Sequence, residues 1–323
     1  QLAEDYDVWY RVHASGIGWM GWAKDGESAG TTGLSTPLEA VQVVLVRKGE
    51  AAPDSTSNAY IELPTLTYSK SIPISALKAS VESTLSGGIS YQVHVSNQGW
   101  LTSSSDGTPC GSLGSSNSIQ AIKVSLTGDI SKYCDVWYRV HVDNIGWLGW
   151  TKNGSMAGST GYGINVQAIQ IKITGKGAAA PGDTSSPSLS AQPLFSANPM
   201  QKRIVDCARS VPTPGGGLCA EWVARVFTKA GFGNVHKDAC DYYWSYCKYS
   251  SLNTLKVGMV IAVPSHSHTY LGNIYGHVCI YVGDNKIMDN VGGIRTMDLN
   301  TWLNYYGTTY QPKWGWYNNV PLA

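Results

Sequence analysis

Residues 8–22 read VWYRVHASGIGWMGW, and residues 136–150 read VWYRVHVDNIGWLGW. Eleven of these fifteen positions are identical, so the chain contains an internal repeat. A weaker copy lies between them and begins near Tyr91, with Ser103 where the other copies have their second tryptophan. Apolar and polar residues alternate at the start of each copy, and this alternation predicts a half-buried β-strand.

The three copies predict one all-β domain over residues 1–176. Each copy spans about 47 residues and closes with a second alternating run, which gives about four short strands per copy. We place the copies at about 4–49, 54–128 and 131–175, with an extra stretch at about 54–88. Three similar units predict pseudo-threefold symmetry, as in a β-prism or a β-trefoil, and the sequence does not separate these two folds.

A Gly-Trp pair marks each copy at Trp19, Trp100 and Trp147. With this signature the repeat resembles the clostridial hydrophobic (ChW) repeat over about residues 4–175. The resemblance implies a bacterial extracellular protein whose repeats bind the cell wall or another surface polymer. Most of the repeated tryptophans are expected to pack in the core. Trp19, Trp100 and Trp147 are the candidates for stacking on sugar rings.

The composition narrows the possible classes of protein. The 323 residues predict about two domains. Only 14% of the residues are charged, and 36 Gly, 12 Trp and 19 Tyr favour short strands over a coiled coil or a disordered chain. A net charge of +1 gives no basic field for nucleic acid, and no apolar run is long enough for a membrane span. Because the chain starts at Gln1, we expect a processed, secreted or cell-wall-associated form.

A second domain is predicted after a linker. Residues 177–197 are rich in Ala, Pro and Ser and lack periodicity, so they predict a linker, and 198–323 form the second domain. Asn198 followed by Pro199 predicts a helix start, and another helix begins near Cys219. Helices followed by strands predict an α+β fold. The strands are expected at about 256–263, 277–282 and 286–290.

Two residues of this domain suggest chemistry. Cys219 follows three glycines at a predicted helix start, where backbone N–H groups favour a thiolate and can bind an oxyanion. The alternative is a buried helix cysteine, because Cys219 also begins an apolar stripe. His277 begins a predicted strand and can serve as the general base for a thiol. A hairpin after this strand brings Asp289 or Asn290 near His277, where either can orient its ring.

The segments GGGLCAEWV (215–223), LKVGMVIA (255–262) and GHVCIYVGDNKIMDN (276–290) resemble the NlpC-type cell-wall cysteine peptidases. The resemblance implies a papain-like fold, a peptidoglycan stem-peptide substrate, and no cofactor. It also implies a catalytic set of Cys219, His277 and Asp289, with Asn290 as the fallback for the third residue. Since the family usually has His at the third position, Asp289 is a departure.

Other departures leave the cleaved bond open. The family's Asp-Cys-Ser-Gly, which holds the amine of the stem peptide, is replaced here by LCAE at 218–221. CAEWV also resembles the related CHAP group, so an N-acetylmuramoyl-L-alanine amidase or a cross-bridge peptidase is the alternative enzyme. A surface adhesin with an inactive papain-like domain is the non-enzymatic alternative.

Five residues near Cys219 and His277 are the candidates for substrate binding. They are Gly217, Glu221, Trp222, His268 and Gly276. Glu221 has a second interpretation, because an acid in the first turn stabilises a helix. His266 and His268 form no known zinc motif, so we predict no metal site and interpret them as part of an exposed polar loop.

The cysteine count is odd, at seven. A free Cys219 leaves six that can pair. Cys110 and Cys134 are the only cysteines of the repeat region, so we expect them to form a disulfide in a secreted protein. On one straight helix Cys240 and Cys247 would lie about 10 Å apart, too far to bridge. Their candidate partners are Cys207 and Cys279.

Overall fold

The computed structural model describes residues 5–62, 86–113 and 117–322. The chain divides into two compact units, of which the first comprises Gln1–Ser159 with Ile164–Ser188, and the second Thr160–Gly163 with Leu189–Ala323. The division falls within the segment predicted as a linker, and that segment includes a short strand at Ser188–Ser190. Residues 63–85 of the predicted extra stretch lie outside the described residues.

Short strands dominate the repeat region, with one short helix, α1 (Ile130–Tyr133). The strands are β1 (Tyr6–Ala14), β2 (Gly18–Trp19), β3 (Ala23–Lys24), β4 (Ala29–Thr32), β5 (Leu38–Arg47), β6 (Tyr60–Glu62), β7 (Ile89–Val95), β8 (Gly99–Trp100), β9 (Ser104–Ser105), β10 (Cys110–Gly111), β11 (Ile119–Leu126), β12 (Cys134–Val142), β13 (Gly146–Trp147), β14 (Thr151–Lys152), β15 (Ala157–Thr160), β16 (Val166–Gly175) and β17 (Ser188–Ser190).

Each copy of the repeat contributes one long antiparallel pair to its own sheet, namely β1 with β5, β7 with β11, and β12 with β16. Each sheet also receives a short strand from another copy. Strand β10 pairs with β5, β15 with β11, and β4 with β16. The exchange therefore passes through all three copies. The described strands of the repeat region form three separate sheets and no closed barrel, which favours the β-prism interpretation over the β-trefoil.

Glycine makes this strand exchange possible. Gly30, Gly111 and Gly158 occupy equivalent positions on the donated strands, with φ of 120°, 147° and 114°. A Cβ atom at these positions would lie 2.2, 2.2 and 2.4 Å from a backbone carbonyl oxygen of the receiving copy. A side chain does not fit at such a distance, so the repeated glycine is required by close backbone approach.

The core of the repeat region is built from equivalent apolar side chains. Two sets of three, all at most 5% exposed, line one small apolar cavity together with Val140. The sets are Leu38, Ile119 and Val166, and Val41, Ile122 and Ile169. Full burial of such a side chain contributes about 1.5–3 kcal/mol, so each copy stabilises the shared core rather than a core of its own.

The expected disulfides are absent from the structure. All seven cysteines lie within the described residues, and all seven are free thiols. Cys110 lies on β10 in the first sheet, whereas Cys134 begins β12 in the third. The Cys247 thiol instead donates to the carbonyl oxygen of Val260 at 3.8 Å.

The second unit contains five helices and one five-stranded antiparallel sheet among its described residues. Its elements are α2 (Pro199–Ser210), α3 (Cys219–Ala230), α4 (Ala239–Ser245), β18 (Val260–Val263), α5 (Tyr270–Tyr275), β19 (His277–Gly283), β20 (Lys286–Asn290), β21 (Ile294–Asp298), α6 (Leu299–Tyr306) and β22 (Lys313–Gly315). The strand order is β21-β20-β19-β18-β22. Helix α3 packs against β19 and β20.

Local signals placed the two predicted helices correctly. Asn198 caps α2 through a capping box with Gln201, and Pro199 is its first residue. Helix α3 starts at Cys219 and ends at Gly231, which is left-handed with φ of 99°. The two predicted helix starts are therefore confirmed. No helix in the described part of the chain has the length and apolar character that a bilayer crossing requires.

Candidate active site

Cys219 is the first residue of α3, and Leu218 separates it from the glycine loop 215–217. Its side chain is 8% exposed. The first N–H groups of a helix have no acceptor within the helix, so they face outward beside this thiol. Gly217 has φ of 73°, and a Cβ there would lie 3.1 Å from the Leu271 side chain. The loop therefore depends on glycine both for its conformation and for space.

His277 is the first residue of β19, and Cys219 and Asp289 are the two side chains whose interactions raise its pKa. Its Nε2 is 2.8 Å from Oδ2 of Asp289. A carboxylate only accepts, so Nε2 carries the proton and Nδ1 is left for Cys219. The hairpin explains this geometry, because Asp289 pairs with Cys279, and His277 is the diagonal neighbour on the same face.

Asp289 is fully buried and accepts hydrogen bonds from three side chains. Arg295 donates twice, from Nε to Oδ1 at 2.7 Å and from Nη2 to Oδ2 at 3.0 Å. Trp302 donates from Nε1 to Oδ2 at 3.2 Å, and His277 donates the fourth bond. A buried carboxylate is costly unless it is paired and hydrogen-bonded in this way.

The pKa of Asp289 is lowered and that of His277 is raised. Burial raises the pKa of Asp289, but the hydrogen bonds from His277 and Arg295 outweigh it and hold the pKa below its usual value. Burial likewise opposes protonation of His277, and the hydrogen bonds to Asp289 and Cys219 outweigh it and raise its pKa to about 9. The raised pKa keeps His277 in its imidazolium form at neutral pH.

Two aromatic side chains of α6 pack against the imidazole ring of His277. The Tyr306 ring lies 4.4 Å from the His277 ring, and the Trp302 ring is stacked at 5.8 Å. The Tyr306 hydroxyl accepts from Nη2 of Arg295 at 2.8 Å. Arg295, Trp302 and Tyr306 were missed by sequence reasoning. Arg295 lies directly opposite Asp289 on β21, a strand that the sequence analysis did not predict.

The structure shows that the prediction of an exposed loop around His266 and His268 is wrong for His266. This residue is buried, with 5% of its surface exposed, and its ring lies 4.9 Å from the Tyr306 ring and 6.1 Å from the His277 ring. Burial, with His277 and His268 nearby, lowers the pKa of His266 to about 4. Its Nδ1 accepts the backbone N–H of His268 at 3.3 Å. His266 is therefore a neutral, buried neighbour of the candidate catalytic histidine.

His268 is exposed and stacks on Tyr305 at 3.8 Å. Its Nε2 lies 2.6 Å from the Tyr305 carbonyl oxygen. Within the described ranges, no group of three or more His, Cys, Asp or Glu side chains is arranged to hold a metal ion.

Three of the residues predicted to bind substrate make contacts within the domain itself. Trp222 is fully buried and donates to the Val211 carbonyl oxygen at 3.3 Å, so the prediction for it is wrong. Glu221 forms an ion pair with Arg225 one turn further along α3, at 2.8 Å. Gly276 has φ of 72°, and a Cβ there would lie 2.0 Å from the carbonyl oxygen of Val263, so close packing accounts for it.

Asn290 anchors the glycine loop rather than the imidazole. Its Nδ2 donates to the Gly215 carbonyl oxygen at 2.8 Å, and its Oδ1 accepts from Thr213 Oγ1 at 2.7 Å. Asp289, not the fallback Asn290, is therefore the residue that the structure brings to His277.

The repeat tryptophans fall into two groups. Trp9, Trp22, Trp137 and Trp150 are at most 8% exposed, as expected for core residues. Trp19, Trp100 and Trp147 are half-buried. Each of these three meets the histidine of its own copy in an edge-to-face contact, with ring centroids 5.5, 5.4 and 5.5 Å apart.

Comparisons with known proteins support the repeat prediction directly. The family model of the Clostridial hydrophobic W (ChW) repeat matches residues 13–47, 94–128 and 141–175, which confirms three ChW repeats. A search of curated proteins finds no match.

Solved structures that match include NlpC1 from Trichomonas vaginalis, at 14% identity over 76% of this chain and 98% of that one, with a TM-score of 0.29. NlpC2 from the same organism matches at 12% identity over 73% and 99% of the chains, also with a TM-score of 0.29. Scores this low do not establish a shared fold.

Proposed function

We propose that this protein is a secreted or cell-wall-associated bacterial hydrolase that cuts an amide bond of peptidoglycan through a Cys219 nucleophile. The observation that carries the proposal is the hydrogen-bonded pair of His277 and Asp289, together with a Cys219 thiol at a helix start that interacts with His277. A thiol, a base and a group that orients the base form the minimum set for nucleophilic acyl transfer.

The reaction begins when the Cys219 thiolate attacks the carbonyl carbon of the amide. Backbone N–H groups at the start of α3 stabilise the oxyanion that forms. The His277 imidazolium gives its proton to the leaving amine as the carbon–nitrogen bond breaks, and a thioester remains. His277 then takes a proton from water, which hydrolyses the thioester and restores the thiolate. Asp289 holds the ring and balances its positive charge throughout.

The substrate we propose is the stem peptide, cut by an endopeptidase. Exposed apolar side chains border the glycine loop, with Leu218 45% and Leu271 50% exposed. Our candidates for substrate contact remain Gly217, which lies next to the Leu271 side chain, and the exposed His268. The three ChW repeats supply attachment to peptidoglycan or another wall polymer, with Trp19, Trp100 and Trp147 as the candidate contacts. The mechanism requires no cofactor.

The test is mass spectrometry of fragments released from defined muropeptides by the full chain. We expect Cys219→Ala to abolish release, and Cys240→Ser, a change at a cysteine outside the site, to leave it intact. A new stem-peptide terminus identifies an endopeptidase, whereas lactyl-sugar and alanine termini identify the amidase alternative. Equal release by wild type and Cys219→Ala would refute the proposal. A complete absence of release by wild type would favour the adhesin.

A further inference from the structure

The half-buried tryptophan of every ChW repeat carries a cation over its ring. The guanidinium of Arg11 lies 5.0 Å from the Trp19 ring centroid, and that of Arg139 lies 4.8 Å from the Trp147 ring centroid. In the second repeat, the Lys123 ammonium lies 4.3 Å from the Trp100 ring centroid. The arrangement therefore occurs three times in one molecule.

The cation comes from a different strand in the second repeat. Arg11 pairs across the sheet with Gln42, and Arg139 with Gln170. In the second repeat the same pair of positions holds Gln92 and Lys123, so that amide and cation have exchanged strands. The charge over the tryptophan is retained even though the residue that supplies it has moved. Strand pairing alone would not require a positive charge over the tryptophan ring in all three repeats.

Among the residues that the structure describes, two of the three cations lack an ion-pair partner. Arg11 has a weak partner in Asp54, whose carboxylate is 3.6 Å away with a side chain 70% exposed. For Lys123 and Arg139, the described part of the chain contains no carboxylate within ion-pairing distance. Arg139 also donates from Nε to the uncharged amide Oε1 of Gln170 at 2.5 Å, so neither this bond nor the ring contacts neutralise the two partly exposed cations.

The geometry points to an anionic sugar unit of a wall polymer as the ligand of each ChW repeat, with the half-buried tryptophan contacting the ring and the adjacent Arg or Lys binding its phosphate or carboxylate. This inference deepens the wall attachment proposed above and depends on it. A pyranose stacks on an indole, and a cation beside the indole selects a charged sugar over a neutral one. Three copies on one chain add avidity for a repeating polymer.

The experiment measures binding of the full chain carrying Cys219→Ala, so that no polymer is hydrolysed. The probes are purified wall sacculi before and after removal of phosphate-linked polymer, soluble polygalacturonate as a carboxylate polymer, and neutral amylose. We expect tight binding to at least one anionic probe and weak binding to amylose. Loss of binding on removal of phosphate polymer identifies a phosphate ligand. Binding to polygalacturonate identifies a carboxylate ligand.

The variants separate ligand binding from folding. We expect Lys123→Gln with Arg139→Gln to weaken binding at least tenfold, and Lys172→Gln, an exposed cation outside these sites, to have no effect. Lys123→Arg keeps the charge and should bind as the parent does. Adding Gln92→Arg to the Lys123→Gln with Arg139→Gln variant gives the second repeat the arrangement of the other two, so it should recover part of the lost binding.

Equal binding to amylose and anionic polymers, or full binding by the Lys123→Gln with Arg139→Gln variant, would overturn the inference. Failure of Gln92→Arg to restore binding would also count against it. The experiments distinguish a wrong ligand assignment from a wrong enzyme proposal. Muropeptide hydrolysis without a preference for anions refutes only the ligand assignment, whereas anion binding by a chain without hydrolytic activity refutes only the enzyme.

Discussion

Replacement of Asp289 by asparagine is the sharpest test of the candidate site. In the folded protein the pKa of His277 rises from 6.5 to about 9, against the effect of burial. Because each pKa unit corresponds to about 1.4 kcal/mol, the charged imidazole is favoured by about 3 kcal/mol. The hydrogen bond from His277 to the Asp289 carboxylate is the largest of the effects that raise this pKa.

The direction of the pH dependence follows from this raised value. The imidazolium stabilises the folded chain fully below pH 6.5, and this contribution is lost as the pH rises through about 9. Activity that requires the imidazolium is expected to fall in the same range. Asp289→Asn removes the carboxylate, so we expect the alkaline limit of activity to move down by at least about one pH unit. We also expect kcat/KM to fall by about 10²–10⁴-fold.

The assay is muropeptide hydrolysis from pH 5 to pH 10, together with an NMR titration of His277. Asp298→Asn is the matched control, because Asp298 is 53% exposed and pairs only with Lys286 at the surface. We expect this control to change the unfolding free energy by no more than about 1 kcal/mol. Titration of wild-type His277 near pH 6.5, or the same alkaline limit in Asp289→Asn as in wild type, would refute the reasoning.

Three further substitutions test the surroundings of the site. Arg295→Gln removes two hydrogen bonds that lower the pKa of Asp289, so the acid limit of activity should move up, and an unchanged pH profile would count against this positioning role. Asn290→Ala should lower the unfolding free energy by about 1–3 kcal/mol in urea, because two buried hydrogen bonds are lost. A large change in the His277 titration of that variant would contradict the choice of Asp289. Gly276→Ala should lower stability by more than about 1 kcal/mol in the same assay, since alanine meets both a positive φ and a backbone overlap; wild-type stability would contradict this.

Much of the fold could be predicted from local signals. The Asn198–Pro199 start of α2 and the Gly231 end of α3 depend on capping by neighbouring residues, which the sequence displays. Helix α5 and strand β21 were missed, because both are short and lack a clear apolar period. Strand β21 carries Arg295, so missing it also concealed the residue that pairs with Asp289.

The choice between Asp289 and Asn290 lay beyond the sequence for a physical reason. Neighbouring residues of a strand point to opposite faces, so only one of these two side chains can turn toward His277. The register of β20 against β19 decides that this residue is Asp289, and the same register sends Asn290 to the glycine loop. Register depends on contacts between strands rather than on the residues of one strand.

The sequence by itself determined the three repeats, the pairing of Cys219 with His277 as candidates, and the glycines that precede the nucleophile. Only the tertiary structure decided that each repeat completes the sheet of another, because such pairing joins residues far apart in the chain. It also decided that Trp222 is core, and that Arg295 and Tyr306 brace the buried pair of His277 and Asp289. Burial and the partners of a buried charge are properties of packing, which no single segment of the chain contains.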